Sequence, residues 1–141
     1  MSASGASLRL RPVNGSAALE ALRLAVLEFL APLSPSARAV YAIELVLEEV
    51  LTNQFKYAHA DPAAPPIELT VRVEPDEVVL YFEDSGIAFD PLQADPPRPP
   101  RSIDDAPVGG LGLVLVRSFA KSAAYERRDG RNCLTIGVAL A

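Results

Sequence analysis

Two polar residues in the middle of the chain, Glu49 and Asn53, are spaced for chemistry on a phosphorylated ligand. They stand four residues apart in a segment with helical periodicity, so both side chains leave the same helix face. A carboxylate there can take a proton from a nucleophile. An amide oxygen beside it can complete the shell of a Mg²⁺ that already holds waters and phosphates. The same pair also fits an ordinary solvated helix face.

A second candidate segment begins at Asp84, directly after an apolar stretch that predicts a strand. A carboxylate at a strand end can accept a hydrogen bond from an exocyclic amine such as that of adenine. Gly86 lets the backbone approach a flat ring closely. A plain Asp-Ser-Gly turn is the alternative interpretation.

A third segment is rich in glycine and opens a predicted helix; it comprises Gly109, Gly110, Leu111 and Gly112. Glycines let the backbone curl around an anion, and a helix N-terminus directs N–H donors at it. The spacing excludes the P-loop and the dinucleotide-binding motif, and no lysine follows. A flexible hinge is the alternative, and it is compatible with an anion cradle.

Helices and hairpins must position these three segments. Apolar periodicity predicts the order β-α-α-β-β-loop-α-β-β, which favours helices on one face of a mixed, mainly antiparallel sheet. Six prolines in residues 91–107 predict a long functional or mobile loop. The predicted strands span 8–11, 67–73, 78–82, 123–128 and 133–140. The predicted helices span 16–30, 34 to about 58 and 111 to about 121, and the second begins with Ser34 as N-cap and Pro35 at the first helical position.

The composition excludes several classes of function. A chain of 141 residues with 50% apolar side chains predicts one domain, 1–141, with a real core. A net charge of −5 disfavours binding to nucleic acid or to an anionic membrane. One cysteine, Cys133, and one histidine, His59, exclude an intramolecular disulfide and a multi-histidine metal centre. The sequence lacks a long apolar run and a secretion signal, so we expect a cytoplasmic protein.

Two minor features receive simple interpretations. Cys133 is predicted to be a small core residue. Arg127, Arg128 and Arg131 cluster around a predicted turn at Asp129-Gly130. A solvated hairpin or a partner contact explains such a cluster.

Together the three segments resemble the N, G1 and G2 boxes of the ATP-binding superfamily of gyrase, heat-shock 90 chaperones, sensor histidine kinases and mismatch-repair ATPases. The closing stretch, from Gly109 through Arg117 to Leu134-Thr135, is similar to the short bacterial anti-sigma-factor serine/threonine kinases. The resemblance implies a two-layer α/β sandwich, the Bergerat-type ATP-binding fold.

The resemblance also implies a role for each candidate residue. Glu49 would be the catalytic carboxylate and Asn53 the Mg²⁺ ligand. Asp84, with Gly86 beside it, would bind the amine of adenine. Residues 91–108 would form a lid over ATP, and Arg98 or Arg101 in it would neutralise the γ-phosphate. Tyr57 departs from the pattern, since relatives often have histidine there. The glycine-rich segment would bind the nucleotide, with Gly110 and Gly112 at the phosphates and with Gly109 and Leu111 beside them.

The implied function is that of an ATP-dependent kinase in a partner-switching system. It would phosphorylate an anti-anti-sigma protein on serine or threonine, sequester a sigma factor, and form a homodimer. Two alternatives remain open at this point. One is a non-catalytic, nucleotide-regulated protein-binding module of the same fold, and the other is a kinase whose target lies outside sigma-factor control. A histidine kinase is disfavoured because the single histidine, His59, follows the N-box helix.

Overall fold

The computed structural model describes residues 5–57, 67–88, 90–93 and 116–141. Two long helices and five strands make up most of this part of the chain. Short 3₁₀ turns occupy Ala31–Leu33 and Pro91–Gln93, and residues 116–119 are helical. The long elements are β1 (Ser7–Leu10), α1 (Ser16–Leu30), α2 (Ala37–Tyr57), β2 (Glu68–Val73), β3 (Glu77–Asp84), β4 (Ser122–Arg128) and β5 (Arg131–Ala139).

The strands of the described region form one sheet in the order β1-β2-β3-β5-β4, and each pairing in it is antiparallel. The two predicted antiparallel hairpins, β2–β3 and β4–β5, are thereby confirmed, and no parallel pair occurs among the described strands. The apolar strand β3 lies at the centre of the sheet, as its continuous hydrophobicity predicts. Its register with β5 places Asp84 directly opposite Asn132.

Both helices pack on one face of the sheet, where alternate residues of the strands point toward them. Period-two alternation along β3 buries Val78, Leu80 and Phe82 against the helices. The 3.6-residue period of α2 buries Ile43 and Leu47 on the opposite side of the same layer. The result is a two-layer α/β arrangement whose core lies between helices and sheet.

The start of α2 differs from its prediction. Ser34 was expected to cap the helix, but it adopts a left-handed conformation (φ 49°) and closes the 3₁₀ turn before it. The helix begins at Ala37, and the Ser36 hydroxyl accepts a hydrogen bond from the Ala39 N–H at 3.0 Å. Ser36 is therefore the N-cap, because its side chain satisfies an otherwise unpaired helical N–H.

Several predicted features lie outside the described residues. They are His59, the lid arginines Arg98 and Arg101, most of the predicted lid, and the glycine-rich segment with Gly109, Gly110, Leu111 and Gly112. The predicted helix 111–121 is described only from 116 onward. Across the ranges that are described, no helix combines the length and the apolarity needed to span a membrane.

Candidate active site

A pocket opens where the C-terminal half of α2 meets the end of β3 and the β4–β5 hairpin. Its walls are apolar, and polar side chains converge on it from three directions. Such a combination is typical of a small-molecule site. The lining residues are Val50, Asn53, Gln54, Phe82, Asp84, Ile87, Pro91, Tyr125, Asn132 and Leu134.

Asp84 is the buried centre of this pocket, with 7% of its surface exposed. Among the described residues its Oδ1 accepts hydrogen bonds from the Gly86 N–H and from Asn132 Nδ2, both at 2.9 Å. Its Oδ2 accepts one from Gln54 Nε2, also at 2.9 Å. A carboxylate has about four acceptor positions. Oδ2 therefore keeps capacity for one further donor.

Asn132 ties the loop after β3 to the hairpin. Besides Asp84, its Nδ2 donates to the Ile87 carbonyl at 2.8 Å. Its Oδ1 accepts from the Tyr125 hydroxyl and, at 3.1 Å, from Arg127 Nη1. The side chain is almost completely buried. A single amide thus fixes both the carboxylate and the turn that follows it.

The arginines of the hairpin hold the same turn. Arg127 Nη1 donates to the Gly86 carbonyl at 2.9 Å, and Arg131 Nη1 donates to the Ser85 hydroxyl at 2.8 Å. Arg131 also pairs with Glu83 at 3.0 Å. Two members of the predicted arginine cluster therefore position the site, rather than only solvating a hairpin.

The neighbours of Glu83 change the pKa of its carboxyl group. Burial raises its pKa, but hydrogen bonds from Tyr81 and Arg131 outweigh burial and lower the pKa below the ordinary value. The Glu83 carboxylate is therefore charged at neutral pH.

Glu49 and Asn53 lie one turn apart on α2, as predicted, and both are half-buried. Asn53 Nδ2 donates to the Glu49 carbonyl at 2.6 Å, which leaves the amide oxygen as the atom to offer a cation. Burial, together with the charge of Glu48, raises the pKa of the Glu49 carboxyl. A carboxylate with a raised pKa is a better proton acceptor, which suits a general base.

The structure brings part of the predicted site together. Asn53 and Asp84 line the same pocket, and Gly86 follows Asp84 in the adjoining turn. Glu49 stands one turn before Asn53 on the same helix. No group of three or more His, Cys, Asp or Glu side chains that could hold a metal ion occurs within the described ranges.

The sequence interpretation missed Gln54, Tyr125 and Asn132. Two of them carried a detectable signal, because each is a polar residue at a core-facing position. Gln54 continues the α2 stripe of Leu47 and Leu51. Asn132 occupies the same alternation as the buried residues of β5. A polar residue at such a position indicates a buried polar partner.

Comparison with known proteins identifies the family. The chain matches the model of the histidine kinase-like ATPase domain over residues 14–138. It is 43% identical over 101 residues to the serine/threonine-protein kinase BtrW of Bordetella bronchiseptica, an alignment that covers 72% of this chain and 71% of that protein. It is 20% identical over 108 residues to an anti-sigma F factor of Clostridium beijerinckii, covering 77% of this chain and 76% of that protein.

Solved structures share the fold. The crystal structure of the RsbU and RsbW domains of Rv1364c from Mycobacterium tuberculosis aligns with 96% of this chain at a TM-score of 0.67 and 15% identity. This chain spans 32% of that longer protein. The histidine kinase AdeS of Acinetobacter baumannii aligns with 96% of this chain and 68% of its own, at a TM-score of 0.53 and 17% identity. The chain therefore belongs to the histidine kinase-like ATPase domain family and, within it, to the serine/threonine protein kinases of the anti-sigma-factor type.

Proposed function

We propose that the protein binds Mg-ATP in the pocket around Asp84 and transfers the γ-phosphate to a serine or threonine of an anti-anti-sigma protein. It holds a sigma factor while that antagonist is phosphorylated. The observation that carries the proposal is the buried Asp84 carboxylate, fixed by three N–H donors with acceptor capacity left on Oδ2, next to the helix of Glu49 and Asn53.

The geometry around Asp84 suits the adenine ring. An exocyclic amine can donate to the remaining acceptor position of Oδ2. The apolar side chains of Val50, Phe82 and Leu134 line the same pocket and can pack against the faces of a flat base. An amine donor and two apolar faces are what adenine presents.

The helix α2 would hold the other end of the nucleotide. Asn53 offers an amide oxygen, which is a suitable Mg²⁺ ligand beside phosphates and waters. Mg²⁺, when bound, would neutralise charge on the phosphates during transfer. Glu49 would orient the acceptor hydroxyl and receive its proton, and its raised pKa favours that role.

The partners are inferred from relatives. One relative is named a serine/threonine-protein kinase and another an anti-sigma F factor. A kinase that also controls a sigma factor fits both names. We infer an anti-anti-sigma protein as substrate and a sigma factor as second partner, and the family resemblance of the sequence implies a homodimer.

The test is phosphate transfer measured by intact mass. The protein is incubated with Mg-ATP and with candidate anti-anti-sigma proteins, and one added phosphate is expected on the substrate. Glu49→Gln should slow transfer by about 10²–10⁴-fold, the usual contribution of a general base, while ATP binding persists. Glu28→Gln, an exposed glutamate on α1, serves as the matched control and should transfer at the wild-type rate.

Two outcomes would contradict the proposal. If ATP binds but no candidate gains phosphate, the non-catalytic, nucleotide-regulated binding module is the better description. If Glu49→Gln transfers as fast as wild type, the role given to Glu49 is wrong.

A further inference from the structure

Gln54 is a buried polar residue to which the proposed function gives no role. Only 7% of its surface is exposed, and it lies on the core side of α2, next to Asn53 in the chain. Its Nε2 donates to Asp84 Oδ2 at 2.9 Å across 30 residues of sequence. This bond joins the helix that carries Glu49 to the carboxylate at the end of β3.

The orientation of the Gln54 amide follows from its partner. An ionised carboxylate only accepts hydrogen bonds, so Nε2 must face Asp84 Oδ2. The amide oxygen, Oε1, therefore points elsewhere. Among the described residues Oε1 has no hydrogen-bond partner, although it is fully buried. A buried acceptor without a donor is unfavourable and calls for a ligand or a bound water.

Gln54 thus brings a second acceptor, Oε1, close to the Asp84 carboxylate. The amide oxygen and the bonded nitrogen belong to one amide group, and that nitrogen is 2.9 Å from Oδ2. Both residues line the pocket. An amine with two N–H groups can satisfy both acceptors, whereas a carbonyl oxygen would face two like dipoles.

We propose that Gln54 is a specificity-determining residue, which fixes Asp84 through Nε2 and provides through Oε1, directly or through one bound water, a second acceptor for a 6-amino purine. This proposal rests on the proposed function, since it names the base that the same pocket selects. It predicts discrimination between a 6-amine and a 6-carbonyl beyond what Asp84 alone provides.

The experiment compares ATP with inosine triphosphate, which carries a 6-carbonyl where ATP carries the 6-amine. Dissociation constants are measured for wild type and for Gln54→Met, which keeps the length of the side chain and its helix preference. Loss of the hydrogen bond that Gln54 Oε1 accepts should weaken ATP binding by roughly tenfold. Inosine triphosphate should bind equally well or better, so the preference for ATP falls by roughly tenfold.

A second variant and a control separate recognition from stability. Gln54→Glu keeps the size and an acceptor but places a carboxylate against Asp84, so ATP binding should weaken at least as much as in Gln54→Met. Val71→Ala removes core volume in β2 away from the pocket and should leave the nucleotide preference unchanged. Thermal melting shows which variants are folded, and Gln54→Leu, which also lacks the amide, replaces Gln54→Met if that variant does not fold.

The outcomes are distinct. If wild type binds ATP and a folded variant that lacks the Gln54 amide keeps the wild-type preference over inosine triphosphate, the role of Gln54 is refuted and the proposed function stands. If wild type binds neither nucleotide, the proposed function itself fails, and this inference fails with it.

Discussion

Asn132 should be the side chain whose loss most disturbs the pocket. Removing its amide breaks a buried hydrogen bond to the Asp84 carboxylate, one to the Ile87 carbonyl and one from the Tyr125 hydroxyl. A bond to a charged group contributes about 1.5–3 kcal/mol, and each neutral bond contributes about 1 kcal/mol. The contact from Arg127 adds little, because an exposed guanidinium regains water.

Asn132→Ala should therefore lower the free energy of unfolding by about 3.5–5 kcal/mol. For a domain of this size that corresponds to a fall in melting temperature of roughly 12–17 °C. Urea denaturation and thermal melting measure both quantities. Asn14→Ala, a change at an exposed asparagine, is the control and should lie within about 0.5 kcal/mol of wild type.

The isosteric change Asn132→Asp gives the sharpest check. It keeps the acceptor for Tyr125 but sets a second carboxylate against Asp84, where like charges raise the pKa of one group. At pH 7 this variant should be at least as unstable as Asn132→Ala. It should regain stability as the pH falls and the pair takes up a proton. A loss below about 1 kcal/mol for Asn132→Ala, or wild-type stability for Asn132→Asp at pH 7, would refute the reasoning.

The remaining predictions concern α2 and the Glu83–Arg131 pair. Because burial and Glu48 raise the pKa of Glu49, its charged form destabilises the fold above that pKa. Glu49→Gln should then raise the melting temperature at pH 7. This increase over wild type should disappear as the pH falls through the raised pKa of Glu49. A melting temperature below that of wild type at pH 7 would contradict the prediction. Asn53→Ala should abolish the increase in ATP affinity that Mg²⁺ brings while sparing Mg²⁺-free binding, as calorimetric titrations with and without the ion can show. Arg131→Gln should lower the free energy of unfolding at neutral pH, because the lowered pKa of Glu83 means that the Glu83–Arg131 pair stabilises the fold above the unfolded pKa and loses this effect in acid. Chemical denaturation should therefore show a smaller difference between variant and wild type at pH 3 than at pH 7. An equal difference at both pH values would count against the pair.

Periodic segments of the sequence predicted the fold well. Helix α1 has the predicted bounds, and the alternation of β2 and the continuous apolar run of β3 predicted two strands that pair as an antiparallel hairpin. The predicted start of α2 was wrong because Ser34 and Ser36 are equally good N-caps by residue type. Only the left-handed backbone at Ser34 decides between them.

The candidate site was predicted less completely than the fold. Asp84 and Asn53 follow from local chemistry, and their shared pocket agrees with that interpretation. The hydrogen bonds that fix Asp84 come from Gln54 and Asn132, 30 and 48 residues away. Local pattern marks Gln54 and Asn132 as polar residues at buried positions, but it gives no register between distant elements. It therefore does not identify Asp84 as their partner, which for Asn132 follows from the pairing of β3 with β5.

The way in which Asp84 is held also decides how the pocket responds to ionic strength. Within the described part of the chain, its charge is met by two side-chain amides and one backbone N–H, and no lysine or arginine pairs with it. Dissolved salt screens exposed charges that act over several ångströms, but it does not compete with short, buried amide contacts. Under the proposed function, recognition of the base should therefore be insulated from changes in salt, and the ionic strength of the surroundings should act on the binding of the phosphates alone.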